Sequence, residues 1–185
     1  MARRPNYQQE EGKTSMSKIR PSWDQMFMSV VDSAASRSAC IYDAYHIGAV
    51  FVDKKHRIVS IGYSGPSRGD INCNEEGYCL KIDGDPETGV IKRCNGAHAE
   101  MNAILNSGDT MRLDGSTLYS SVFPCYDCMK HLNNLGVERI VYQREYQRMV
   151  DGGKKGEKEI EPEALDLAHK RGIIIEKYKN KEEKK

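Results

Sequence analysis

The sequence predicts an α/β protein, a three-layer α/β/α sandwich built on one mixed five-stranded sheet. Three observations carry that expectation. The apolar residues change period along the chain, from helical spacing to β-type runs and back, in the order α-β-β-α-β-α-β-α-β. The 185 residues suit one domain with a substantial core. No internal repeat divides them.

Residues 1–20 are polar and read as a flexible tail, ahead of a domain at 21–178 and a charged tail at 179–185. Pro21-Ser22-Trp23-Asp24 marks a helix start, and Trp23, Met26, Phe27, Val30, Val31, Ala34 and Ala35 follow at helical spacing, so the first helix is amphipathic. Cys40 comes where that helix closes. Ile47 to Val52 and Arg57 to Tyr63 flank Asp53-Lys54-Lys55-His56 and predict a hairpin. Gly62 to Gly69 is a glycine-rich loop. Residues 70–97 are irregular, with three cysteines and little apolar periodicity, a length without structure that calls for a function or a staple. Ala99 to Asn106 reads as a helix, Ser116 to Val122 as a strand, Cys125 to Leu135 as a helix and Val137 to Tyr142 as a strand. Pro162 to Lys170 is a helix closed by Arg171-Gly172, and Ile173-Ile174-Ile175 a buried strand.

Lysine and arginine total 28 against 27 acidic residues, a net charge of +1, so no global field draws the chain to nucleic acid or to a membrane surface. No apolar run approaches bilayer length, and no export signal is visible. A cytoplasmic location is expected, where six cysteines serve metal or chemistry rather than disulfides.

The chemistry concentrates in His98-Ala99-Glu100 and Pro124-Cys125-Tyr126-Asp127-Cys128. A catalytic zinc takes three protein ligands and leaves the fourth position to water. Cys125 and Cys128, two residues apart at a helix start, bring two thiolates to one metal, and the helix N-terminus favours their charge. Pro124 suits such a start. His98 is the third ligand. Glu100 is two residues from His98, the wrong spacing for two ligands on one helix face, but a helix end lets it hang over the same pocket. A carboxylate beside a zinc-activated water, and not on the metal, is a proton shuttle.

These strings match the zinc-deaminase signature His-x-Glu followed by Pro-Cys-x-x-Cys. The chain resembles the cytidine and deoxycytidylate deaminase superfamily over about residues 22–178. The likeness is carried by His46-Ile47-Gly48-Ala49-Val50, Ile61-Gly62-Tyr63-Ser64-Gly65, Ala97 to Ile104, Phe123 to Cys128, and Leu135-Gly136-Val137 with the strand and loop to Tyr146. Asn102 and the cysteines before His98 point within it to the deoxycytidylate deaminases.

The resemblance implies a cytidine deaminase-like fold and hydrolysis of dCMP to dUMP and ammonia, feeding thymidylate synthesis. It implies a homohexamer activated by dCTP with Mg²⁺ and inhibited by dTTP. It places the base near the Ala99 backbone, the sugar near Ser64, where the family pattern has Asn, and the nucleotide near Tyr146. The Gly62 to Gly69 loop, with Gly65 and Arg68, is the expected effector-phosphate site. Arg144, Arg148, His46 and Arg68 are candidate phosphate partners. Cys40, Cys73, Cys79 and Cys94 remain; four thiols around a loop without its own core suggest a second, structural zinc, as related deoxycytidylate deaminases often carry. The competing readings are a tRNA adenosine or other nucleic-acid deaminase, and a zinc-stapled binding module without catalysis. Glu100 speaks against the last, since a structural zinc has no use for a free carboxylate.

Overall fold

The computed structural model describes residues 20–150 and 154–179, so the two expected tails fall almost wholly outside the described residues. In chain order the elements are α1 (Trp23–Ala35), β1 (Gly48–Val52), β2 (Ile58–Tyr63), β3 (Gly65–Pro66), α2 (Cys73–Glu76), β4 (Gly96–Ala97) and α3 (Ala99–Asn106). They continue with β5 (Thr117–Val122), α4 (Tyr126–Asn134), β6 (Arg139–Arg144), β7 (Tyr146–Val150), β8 (Lys154–Glu159), α5 (Pro162–Arg171) and β9 (Ile174–Lys177). One five-stranded sheet runs β2-β1-β5-β6-β9. β1 is antiparallel to β2 and β5, while β5, β6 and β9 are parallel, so the sheet is mixed as expected.

Alternation along the strands divides the core in two. Val50 and Val52 face α1 with Tyr119 and Val141, packing on Phe27, Met28 and Val31. Ala49 and Phe51 face the opposite layer with Leu118 and Ile140, against Ala103 of α3, Met129 and Leu132 of α4 and Ala168 of α5. α1 begins at a capping box: Gln25 N–H donates to Ser22 Oγ at 3.2 Å, and Ser22 N–H to Gln25 Oε1 at 2.8 Å. Arg139 then ties its first turn to the sheet, donating to both Asp24 oxygens at 2.9 Å.

Two glycines let helices lie directly on the sheet. A Cβ at Gly48 would stand 2.3 Å from the Val31 oxygen of α1, and one at Gly62 only 2.2 Å from the Ala99 oxygen of α3. α3 also reaches around the edge strand: Asn102 Nδ2 donates to Tyr63 O at 2.8 Å and Asn106 Nδ2 to Ile61 O at 2.9 Å.

Three features differ from the sequence expectation. β9 is an edge strand with Ile174 56% exposed; the buried isoleucine is Ile173, just before it. Tyr146 opens a strand rather than lying in a loop, because β7 and β8 form a hairpin. Its second strand, Lys154–Glu159, is charged throughout apart from Gly156 and carries no apolar alternation to announce it. The stretch 70–97 holds α2 and β4, and two aspartates organise the turns between them. Asp83 accepts from Cys79 N–H at 2.7 Å and Tyr42 OH at 2.6 Å; Asp85 accepts from the N–H groups of Glu87 and Thr88 at 3.0 Å and pairs with Lys92. Among the described residues no helix is long and apolar enough to cross a membrane.

Candidate active site

The site forms where α3 and α4 begin, at the C-terminal end of β5, the position at which open α/β sheets leave a crevice. β5 leads through Phe123 and Pro124 to Cys125, which is the N-cap of α4 rather than its first helical residue. His98 is likewise the N-cap of α3, with extended backbone (φ −69°, ψ 148°). The opposite-sides argument for His98 and Glu100 therefore does not apply, because His98 is not helical, and both side chains reach one cavity.

His98 Nδ1 lies 3.4 Å from Cys125 Sγ and 3.4 Å from Cys128 Sγ. All three ligand atoms fall within 4.8 Å of one another. A tetrahedral zinc with Zn–S near 2.3 Å and Zn–N near 2.05 Å separates nitrogen from sulfur by about 3.6 Å. The donor set therefore fits zinc in both chemistry and spacing. Among the described residues it is the single group of three His, Cys, Asp or Glu that meets this proximity.

The electrostatics suit a metal. A hydrogen bond from Cys128 and the neighbouring His98 bring the Cys125 thiol down to about 4. Its thiolate in turn lifts His98 to about 9. Cys128 is held well above the usual thiol range by its bond to Cys125 and by burial. Glu100 is 3% exposed, and burial raises its carboxyl above the ordinary range. It faces the Cys128 thiol.

The cavity holds about 440 Å³ and is lined by Glu100, His98, Cys125, Ser64, Tyr146 and Gly65, among others. Ser64 Oγ is already engaged, 2.6 Å from Tyr45 O, 2.8 Å from Ser38 Oγ and 3.2 Å from Ile47 N–H. Ala99 is fully buried, with its carbonyl against Gly62, between the lining residues His98 and Glu100. Gly65 pairs with Ala97 through β3 and β4; Arg68 is exposed on the loop beyond. Arg144 donates to Ala44 O at 3.0 Å and His46 Nε2 is 2.8 Å from Cys40 O. The Arg148 side chain lies outside the described residues. Cys40, Cys73, Cys79 and Cys94 also line this cavity; Cys40 follows α1 by several residues, Cys79 is buried and Cys94 exposed.

Sequence reasoning missed four wall residues: Tyr45, whose ring lies 6.0 Å from that of Tyr146, and Lys81, Asp127 and Glu161. Asp127 stands inside the cysteine motif and was within reach of inspection. The other three sit in turns or at element ends, where no periodicity marks them.

The model of the cytidine and deoxycytidylate deaminase zinc-binding region matches residues 21–144. Deoxycytidylate deaminase of Schizosaccharomyces pombe is 35% identical over 130 residues, 70% of this chain and 39% of that protein. The Saccharomyces cerevisiae protein of that name is 35% identical over 129 residues, so the chain spans about two fifths of the length of these relatives. Deoxycytidylate deaminase of Mycobacterium phage D29 is 36% identical over 132 residues, 68% of this chain and 98% of that one. The structure of dCMP deaminase from cyanophage S-TIM5 in complex with dCMP and dUMP superposes with a TM-score of 0.63 at 24% identity, covering 86% of this chain and 99% of that one, and supports the fold. With the motif residues gathered at one crevice, the chain belongs to the cytidine and deoxycytidylate deaminase family.

Proposed function

We propose that this chain hydrolyses dCMP to dUMP and ammonia. The observation that carries the reading is a buried Glu100 beside a zinc-sized His98–Cys125–Cys128 cluster at the end of a nucleotide-sized cavity. The names of the yeast and phage relatives point to the same substrate. His98, Cys125 and Cys128 hold the zinc, which when bound supplies the Lewis acidity that makes water nucleophilic near neutral pH. Glu100 is the catalytic residue: its raised basicity suits it to accept the water proton. It passes protons to the ring nitrogen and to the departing ammonia. Burial keeps bulk water from competing at that carboxylate.

The Ala99 N–H addresses the pyrimidine edge, and Tyr146 with Tyr45 forms an aromatic wall for the nucleotide. Ser64 holds the Tyr45 segment through the Tyr45 carbonyl, so in this reading it shapes the sugar pocket as much as it touches the sugar. Lys81 is the cation on the wall suited to a 5′-phosphate. Cys40, Cys73, Cys79 and Cys94 hold a second, structural zinc; their common cavity supports this, although their sulfurs lie further apart than those of the catalytic set. Regulation by dCTP with Mg²⁺ and by dTTP near Gly65 and Arg68, a homohexamer, a cytoplasmic location and a role in thymidylate supply belong to the same proposal.

Ammonia release from dCMP, CMP, deoxycytidine and an adenosine-bearing RNA hairpin tests it. dCMP is expected to be turned over far better than deoxycytidine, because the remote phosphate positions the base. Equal kcat/KM for the two would overturn the nucleotide reading, and turnover of the hairpin alone would favour a nucleic-acid deaminase.

A further inference from the structure

Glu161 lies beyond the matched family region and in no motif, yet it lines the cavity that holds the metal cluster. Its carboxylate Oε2 accepts a hydrogen bond from the Tyr126 N–H at 2.6 Å. Tyr126 is the first residue of α4, between the two cysteines. Helix starts leave their first N–H groups unpaired, and Ser, Thr, Asp or Asn at the N-cap ordinarily answers them. In α4 the N-cap is Cys125, whose side chain makes no capping bond to the helix. The acceptor therefore comes from elsewhere in the chain, and Glu161 supplies it.

The backbone of Glu161 is itself held. It is the N-cap of α5, and its carbonyl accepts from the N–H groups of Ala164 at 3.0 Å and Leu165 at 3.2 Å. The preceding strand β8 is paired in its hairpin. One residue thus joins the starts of two helices, its main chain opening α5 and its side chain closing the first turn of α4. The bond is short and charge-assisted, and a negative charge there also favours the helix N-terminus.

We infer that Glu161 is a positioning residue for the metal, fixing the turn that carries Cys125 and Cys128 and thereby setting the affinity of the site. The inference rests on the zinc reading of His98, Cys125 and Cys128. Groups that orient metal ligands from outside the coordination sphere are commonly worth 10- to 100-fold in affinity.

The test measures zinc affinity of the full chain by competition with a chromophoric chelator, alongside the absorption spectrum of the cobalt-substituted protein. Glu161→Ala is expected to weaken zinc binding about 10- to 100-fold and to shift the thiolate-to-cobalt band. Glu161→Gln, whose amide oxygen still accepts from Tyr126, is expected to stay within about threefold of the parent. Should the alanine variant not fold, Glu161→Asp keeps the charge but falls short by one methylene, and weakened binding is again expected. Parental affinity and an unchanged cobalt band in Glu161→Ala or Glu161→Asp overturn the inference, as does a loss in Glu161→Gln equal to that in Glu161→Ala. A parent that takes no zinc on His98, Cys125 and Cys128 overturns the metal reading itself and the inference with it.

Discussion

Gly62→Ala inserts a methyl group between β2 and α3. The new Cβ would stand 2.2 Å from the Ala99 oxygen, 2.3 Å from the Ala103 nitrogen and 2.8 Å from the Ala103 Cα. Ordinary contact begins near 3.4 Å, so strand and helix have to part by about 1 Å. All three atoms are backbone, and no rotamer change relieves the clash. Overpacking costs about 1–3 kcal/mol, and a rigid clash belongs in the upper half of that range. In a chain of this size, about 3 kcal/mol lowers Tm by roughly 6–12 °C. The functional cost follows from what α3 carries, since His98 caps it and Glu100 lies in its first turn. Misplacing catalytic groups by about 1 Å costs on the order of 100-fold in rate. Circular-dichroism melting and ammonia release from dCMP, on zinc-loaded parent and variant, measure both effects. Gly65→Ala is the control for stability, because its Cβ meets nothing nearer than 3.8 Å. A Gly62→Ala protein that melts within about 2 °C of the parent and keeps its rate refutes the close-packing argument.

Glu100→Gln keeps the shape but not the basicity; turnover is expected to fall by about 10²- to 10⁴-fold with zinc content unchanged by metal analysis. Zinc uptake by the metal-free protein is expected to release about two protons near neutral pH, one from His98, lifted to about 9, and one from Cys128, held protonated, while Cys125, brought down to about 4, is already ionised. Affinity then falls with added acid, and calorimetry in buffers of different ionisation heat counts the protons. Arg139→Ala removes the bidentate bond to Asp24, which holds that carboxyl below its ordinary range. Screening at this partly exposed site limits the loss to about 1–2 kcal/mol at pH 7. A depressed Asp24 contributes stability above its unfolded value of 3.8 and loses it as pH falls through the lower folded value, so parent and variant melts should converge as the pH drops below 3.8. Cys79→Ser is expected to lower zinc from about two per chain to about one and to loosen residues 70–97 toward proteolysis; a parent with one zinc per chain removes the second site.

The sheet and its main helices were legible because their signals are local. Pro21 and Ser22 announce α1, a continuous apolar run announces β1, and Pro162 with Gly172 brackets α5. The metal set was legible because His98, Cys125 and Cys128 occur in two short strings with fixed spacing. What escaped depends on tertiary neighbours. The β7–β8 hairpin is polar, and Tyr45 and Glu161 gain their places from contacts across 101 and 35 residues of sequence separation, with Tyr146 and Tyr126 respectively. The regular-helix spacing of His98 and Glu100 would have turned them apart; the helix-end alternative is the one that applies, because His98 is an N-cap with strand-like backbone and both residues line one cavity.

The two amides that α3 lays along β2 bear on how copies of this chain can associate. A sheet edge with bare carbonyls is a template on which a foreign strand can grow, and natural proteins guard such edges. Asn102 and Asn106 occupy the Tyr63 and Ile61 carbonyls, so a strand arriving there would have to displace both donors before it gained a bond. Asn102, the residue that sets the His-Ala-Glu-Met-Asn string apart in the sequence, thus also covers a carbonyl on which edge-to-edge pairing could begin. Replacing both asparagines by alanine should leave the fold intact yet raise the tendency to associate further through β2, visible as concentration-dependent light scattering above that of the parent. Any contact between copies on this side would fall to the exposed side chains of Ile58, Ile61 and Leu105 rather than to the strand backbone, and side-chain contacts of that kind can close a finite assembly.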